Sequence, residues 1–261
     1  MLRALGLASD LLAMGAETVV EVREDRLILR TPGQPDYWDG NSLIFRHGRV
    51  DSGAQIAQFE ADFPGAPHCT LQWDDPAMRP GPGHAALEAL GFEIEPVDVL
   101  TLTSPLIRSA APEGLVLRAL GRAEDWAQLA DLRMEVDLEE GYDPAAHGPY
   151  IAGRVAAERR QVQAGHGAWF GAFDGENLAG SLGILADARV ARYQAVATRA
   201  AYRRRGIAGA LLDMAYDWVA ARRPGAVPVI VALADQAPGR LYRRHGFAPA
   251  ETLVHACRPG Y

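Results

Sequence analysis

The stretch QAVATRAAYRRRGIAGALLDMAYDWV, followed by VPVIVALA, limits the fold more than any other part of the chain. A strand ends near Thr198. A helix begins near Arg205, with Ile207, Leu211, Leu212, Ala215, Trp218 and Val219 on its buried side. VPVIVALA is an unbroken apolar run, the mark of a central strand covered on both faces. Strand, helix and central strand in that order predict an α/β architecture, a mixed central sheet flanked by helices.

The rest of the chain divides around this segment. From Leu115 the pattern runs LVLRAL (strand), EDWAQLADLRMEV (helix), a helix from about Tyr150 to Ala164, and GAWFGAFDGENLAGSLGIL, a hairpin turning at DGEN. PGRLYRRHGF is a helix closed by Gly246, and ETLVHACR is a last strand. Before residue 104 the pattern starts with a short amphipathic helix and the strands of ETVVEVREDRLILRT. A helix from Ala54 to Phe63, the strand HCTLQW and the helix HAALEALGF follow. SPLIRSAAPEG lacks periodicity and reads as a linker, so the expected domains are 1–110 and 111–261. A faint repeat links them: HAALEALGF and GRLYRRHGF both end in Gly-Phe, with Gly91 and Gly246 standing 155 residues apart. At that offset Gly206 falls on Asp51 and Tyr242 on Leu87. The first domain is therefore expected to share the fold and lack its polar machinery.

YRRRGIAGALL has three open readings: a helix start with solvated arginines, a basic patch for nucleic acid, and a phosphate cradle. The net charge of -7 weighs against nucleic acid. Neither a GxxxxGK[ST] loop nor a GxGxxG fingerprint is present. The first amides of a helix have no partner within it, and Gly206, Ala208 and Gly209 leave them uncovered. Arg203, Arg204 and Arg205 add charged donors at the rim. All basic side chains are arginine, because no lysine occurs, which removes lysine nucleophiles from consideration. The histidines and the two cysteines, Cys69 and Cys257, have no metal-site spacing, and two free thiols fit a reduced cytoplasmic protein. No stretch has the length of a membrane span.

Residues 115 to 261 resemble the GCN5-related N-acetyltransferase (GNAT) superfamily. Arg203-Arg204-Arg205-Gly206-Ile207-Ala208 matches its Gln/Arg-x-x-Gly-x-Gly/Ala signature, and ADQAPGRLYRRHGF resembles its Asn-x-x-Ala-x-x-Leu-Tyr-x-x-x-Gly-Phe block. The resemblance implies an acyl-CoA N-acyltransferase fold that binds acetyl-CoA. The pyrophosphate would lie on amides from Arg204 to Gly209. The pantetheine arm would run along Val196, Ala197 and Thr198, where two parallel strands splay apart. Asp235 stands where relatives often carry a cofactor-contacting asparagine, and an ionised aspartate cannot donate that bond.

Acyl transfer to an amine needs an oxyanion donor, for which the Val196 N–H is suited, and a donor to the leaving thiolate, for which Tyr242 is suited. The resemblance assigns Tyr242 the same general-acid role. The strand ARVARYQAVAT carries no acid, and Gln194 can orient an amine but not accept its proton. Glu135, Asp137, Glu139, Glu140 and His147 are the remaining candidates for a base, and as a group they would attract a cationic acceptor. The expected function is acetyl transfer to a primary amine of a small molecule, with no nucleic-acid, membrane or metal partner. Sequence leaves the oligomeric state open. The other reading is a non-catalytic acyl-CoA-binding or sensor protein, which the missing base favours.

Overall fold

A computed structural model describes residues 1–139, 141–232 and 237–259. Two compact units emerge: Met1–Leu100 with Val231–Gly239 and Pro249–Tyr261, and Thr101–Ile230 with Arg240–Ala248.

The first unit begins with helix α1 (Leu5–Met14) and strands β1 (Val19–Val22), β2 (Arg26–Arg30) and β3 (Leu43–Phe45). Helix α2 (Ser52–Asp62) leads to β4 (His68–Trp73), and α3 (Pro82–Glu88) leads to β5 (Glu93–Leu102). Strands β3 and β4 are parallel, Leu43 facing Leu71 and Phe45 facing Trp73. Alternation sends Leu71 and Trp73 into a core with Ile28, Phe59, Leu87 and Phe92. The strand β11 (Phe247–Pro259) pairs antiparallel with β4, from His255 opposite Gln72 to Pro259 opposite His68. Its Val254 and Ala256 enter the same core. This pairing departs from a single division after residue 110, because hydrogen bonds carry 249–259 into the first unit. The same register puts Thr70 opposite Cys257 and Cys69 opposite Arg258, so the two thiols point to opposite faces and stay free.

The second unit holds β6 (Val116–Ala119), α4 (Ala123–Glu139), α5 (Pro144–Gln163), β7 (Gly167–Asp174), β8 (Asn177–Ala186), β9 (Val190–Thr198), α6 (Ile207–Arg222) and the larger part of β10 (Val227–Ala232) and of α7 (Ala237–Arg244). Its strands are ordered β10-β9-β8-β7-β6. Asp174 faces Asn177 across the expected DGEN turn. Helix α5 starts earlier than its apolar spacing indicated: the Asp143 carboxylate caps Ala145, and Pro144 fits the first turn. The segment read as a linker is fastened to α6. The Ser109 amide donates to Asp213 (2.8 Å), and Arg108 grips Asp217 with both terminal nitrogens (3.0 and 2.6 Å).

Each unit contains a parallel strand–helix–strand, β3-α2-β4 and β9-α6-β10, and the repeat read from sequence has a backbone counterpart. Gly91 after α3 and Gly246 after α7 both take left-handed φ, 84° and 97°. Among the described residues, no helix is long and apolar enough to cross a membrane.

Candidate active site

The site starts where β9 and β10 part. They pair in parallel over Val190–Arg192 and Val227–Val229. Beyond Arg192, β9 continues to Thr198, still held by β8 on its other side. A cleft therefore opens along one edge of β9, narrow at Arg192 and wide at Thr198. Ser181 faces Ala197 and Gly183 faces Gln194, so Leu182 alone lies opposite both Ala195 and Val196. This is a β-bulge, with Ala195 at φ 52°, and it breaks the regular ladder beside Val196.

A single 3-10 turn, Ala200–Tyr202, carries the chain from β9 toward α6. Arg204 has φ 65°, and Gly206 has φ 79° at the N-cap of α6. A glycine suits that left-handed cap because no Cβ opposes it. No side chain caps the helix. Among the described residues, the amides of Arg204 to Gly209 donate to no protein acceptor, while Ala210 closes the first helical bond onto Gly206 (3.1 Å). Arg203, Arg204, Arg205 and Gly206 are exposed around these amides. The helix start expected near Arg205 lies at Ile207, because Arg204 and Gly206 both leave the right-handed region.

Gly209 has a different use from the one its sequence position suggested. A Cβ there would stand 2.1 Å from the Ser109 hydroxyl and 2.8 Å from the His245 imidazole. Its smallness thus admits the 104–114 segment against α6. His245 Nδ1 in turn lies 2.8 Å from the Ile107 carbonyl.

The arginines of the motif are not equivalent. Arg203 pairs with Glu139 (2.6 Å), and Arg199 pairs with Glu135. Arg205 donates to the Glu113 carbonyl (3.1 Å) and lies over the Tyr202 ring. The acids expected to draw in a cationic acceptor are therefore engaged already. Asp137 sits between Glu135 and Glu139 in sequence, so helical geometry turns it to the opposite side of α4. It meets His147 there at 2.9 Å, with Tyr142 stacked on the imidazole. That pair faces away from the arginines of the cradle, and Glu140 lies outside the described residues.

Tyr242 lies on α7, 6 % exposed, with its ring against Phe247, which also meets Tyr193 of β9. Burial pushes its phenol up to about 12, and the positive charge of Arg192 pulls the other way. The phenol is thus a neutral donor close to the narrow end of the cleft.

Residues 165–249, from the start of β7 past α7, match the family model for the acetyltransferase (GNAT) domain. Over this stretch the chain is similar to GNAT acetyltransferases. The matched stretch contains all of the cleft, from the paired residues at Arg192 to Tyr242. Similarity at the level of fold extends over both units. A GCN5-related N-acetyltransferase from Kribbella flavida is 20 % identical, with 100 % of this chain and 97 % of that chain covered at a TM-score of 0.66. A functionally unknown conserved protein from Staphylococcus epidermidis is 10 % identical, with 92 % and 93 % covered at a TM-score of 0.68. A tandem GNAT protein from the clavulanic acid biosynthesis pathway is 15 % identical, with 98 % and 88 % covered at a TM-score of 0.57. No curated protein sequence matches the chain.

Within the GNAT domain the sequence-expected residues are distributed along one path. Val196, Ala197 and Thr198 line the open edge of β9, Arg203 to Ala208 form the uncapped turn, and Tyr242 stands near the narrow end. Asp235 lies outside the described residues. Sequence reading passed over Arg192, whose place at the strand separation is set by pairing with β10 and has no local signature.

Proposed function

We propose that this protein transfers the acetyl group of acetyl-CoA to the primary amine of a small molecule by direct attack. The observation that carries this is the uncapped start of α6, whose amides from Arg204 to Gly209 have no protein acceptor and open onto the cleft edge of β9. These donors fit a diphosphate: Arg204, Arg205 and Gly206 are exposed, the turn carries the positive end of the helix field, and Gly206 and Ala208 leave close approach open. Arg204 and Arg205 supply charge at the rim, and Arg203 shares its charge with Glu139. Val196, Ala197 and Thr198 offer their free edge to the amides of a pantetheine arm. Gly209 contributes its amide but not open space.

When bound, acetyl-CoA supplies an acyl carbon activated as a thioester. The Val196 N–H, beside the bulge, stabilises negative charge on the acyl oxygen. Tyr242 acts as general acid: it holds an O–H toward the departing sulfur, gives up the proton as charge builds there, and is reprotonated from solvent. Gln194 orients the amine. With Glu135 and Glu139 bound to arginines, the amine loses its proton to water.

The absence of a carboxylate base on β9 favours one second reading, a sensor that binds acyl-CoA without turnover. Thiol release from acetyl-CoA over a panel of small amines, alongside calorimetric binding of acetyl-CoA, separates the two. Release above the amine-free rate is expected. Tight binding with no release from any amine would favour the sensor, and no binding would remove both readings.

A further inference from the structure

On the sheet of the second unit, beneath α4, lies a polar row that the proposed acyl transfer touches only at Gln194. Trp169 of β7, Gly183 of β8 and Gln194 of β9 stand in one line of register, so their side-chain positions share a face. Trp126 and Arg133 of α4 meet Trp169 on that face, with 6.0 Å between the Trp126 and Trp169 rings and the guanidinium 5.8 Å from the indole. Gly183 has no side chain to part its two neighbours. A Cβ there would fall 2.3 Å from Cζ2 and 2.4 Å from Cε2 of Trp169, so the indole lies across β8. Two strand spacings, about 10 Å, separate the backbones of Trp169 and Gln194, and the indole spans the first of them.

Polar atoms of this row lack partners. Trp169 is fully buried and, among the described residues, its Nε1–H meets no acceptor. That nitrogen is bonded to Cε2, the atom lying over Gly183. The Gln194 side-chain nitrogen is buried and, among the described residues, donates to no protein acceptor. Ser181, two positions along β8 and on the same face, is fully buried with an unpartnered hydroxyl. A buried donor without an acceptor is costly, and a ligand oxygen would relieve that cost. Gln194 is half-buried, so the row is reached from the cleft edge of β9. The two unpartnered N–H donors are neutral. The cation over the indole, Arg133, is already paired with the buried Glu158 of α5 (2.7 Å). A carboxylate would have to be buried beside that acid, which favours a neutral oxygen. A carbonyl suits the row better than a hydroxyl, because its oxygen accepts two hydrogen bonds and brings no O–H that needs an acceptor of its own.

We propose that Trp169 and Gln194 form a recognition site for a neutral carbonyl oxygen of the acceptor, with the Ser181 hydroxyl as a third partner. Gln194 stands two residues before Val196, at most roughly 7 Å along the strand, so the carbonyl lies a few bonds from the attacking nitrogen. The acceptor is then an α-amino amide, of the kind formed by amidating an amino acid. This rests on reading the cleft as an acyl-transfer site, in which Gln194 orients the amine through that carbonyl.

Binding tests it without requiring turnover. The full-length protein is saturated with desulfo-coenzyme A and titrated with the amides of the common amino acids, with the free amino acids and with their decarboxylated amines. At least one amide should bind about 10- to 100-fold tighter than both of its counterparts. Trp169→Phe keeps a ring over Gly183 and removes the N–H, and it should lower that preference several-fold while coenzyme A affinity changes little. The Trp169 indole N–H resonance gives a second readout: it should move downfield with the preferred amide and stay in place with the matching amine. Amides no tighter than amines across the panel, free acids tighter than amides, or a preference that survives Trp169→Phe would overturn the proposal. Should Trp169→Phe not fold, the resonance in the parent protein decides: a downfield shift with an amide supports the site, and a signal unmoved by every amide overturns it. Thiol release from acetyl-CoA with the same panel is recorded separately. Release without an amide preference removes carbonyl recognition alone, whereas a protein that does not bind coenzyme A loses the acyl-transfer reading as well.

Discussion

At the scale of single residues, Tyr242 is where burial and chemistry meet. Replacing it with phenylalanine keeps the ring against Phe247 and removes only the O–H. Turnover should fall by about 100-fold or more, the usual worth of a positioned proton donor, while acetyl-CoA affinity stays close to that of the parent protein. Steady-state kinetics with calorimetric binding checks both, and unchanged turnover would strip the residue of the role. The phenol also gives a pH signature. Its folded value is raised, to about 12, above the ordinary tyrosine value, roughly 10. The associated stability is therefore complete below about pH 10 and is lost as pH rises toward 12. Chemical denaturation at several alkaline pH values should show a shallower loss in Tyr242→Phe than in the parent chain. Tyr242 was legible in the sequence because LYRRHGF is a contiguous pattern. The engagement of Glu135 and Glu139 was not: their partners Arg199 and Arg203 each lie 64 positions further on, and no local periodicity relates them.

At the scale of elements, the two units treat equivalent helix starts in opposite ways. In α2 the N-cap is Asp51, whose carboxylate accepts from the Ala54 amide at 3.3 Å. In α6, at the 155-residue offset, the N-cap is Gly206, and the amides are left open. Gly206→Asp would copy the first unit's cap into the second, since aspartate tolerates the left-handed region better than most residues. It should cost the isolated fold about 1 kcal/mol, because a side chain is strained at that left-handed φ, and abolish measurable binding of acetyl-CoA by placing a negative charge on the same amides. Retained affinity would mean that the phosphates sit elsewhere. A second helix start has a structural task. Asp125, in the first turn of α4, takes both terminal nitrogens of Arg118 at 2.7 Å and the amides of Gly121 and Arg122. The Arg118 guanidinium, followed by those amides, holds its carboxyl well below the ordinary carboxylate range. The stability it contributes is present above about pH 4 and declines as pH falls further. Asp125→Asn should cost about 2–4 kcal/mol at neutral pH by denaturant titration, and the difference from the parent should narrow in acid. The strand–helix–strand order and the glycine turns were readable from sequence because each depends on neighbours within a few residues. The bulge at Ala195–Val196 depends on the register with β8 and has no such local mark.

At the scale of the molecule, the first unit is discontinuous in sequence. Its core needs Val254 and Ala256, and strand β4 would lose the partner along one edge without β11. A fragment of residues 1–110 should therefore be partly unfolded or aggregated, as an unpaired central strand invites association. Circular dichroism and gel filtration would show this, and a synthetic peptide spanning 247–259 should recover soluble, cooperative unfolding. A monomeric fragment that melts cooperatively alone would contradict the importance given to β11. The α/β class and two-part organisation were visible in the sequence, because apolar runs and the Gly-Phe repeat record them directly. The destination of the strand ETLVHACR was not, because alternation says that a strand exists and is silent on what lies beside it. This exchange of material across the sequence has an effect on biosynthesis. A ribosome delivers residues 1–100 early, yet their sheet cannot be completed until 249–259 have emerged. Until those residues emerge the first unit must wait with an open edge, and the second unit has the chance to fold ahead of the one that precedes it.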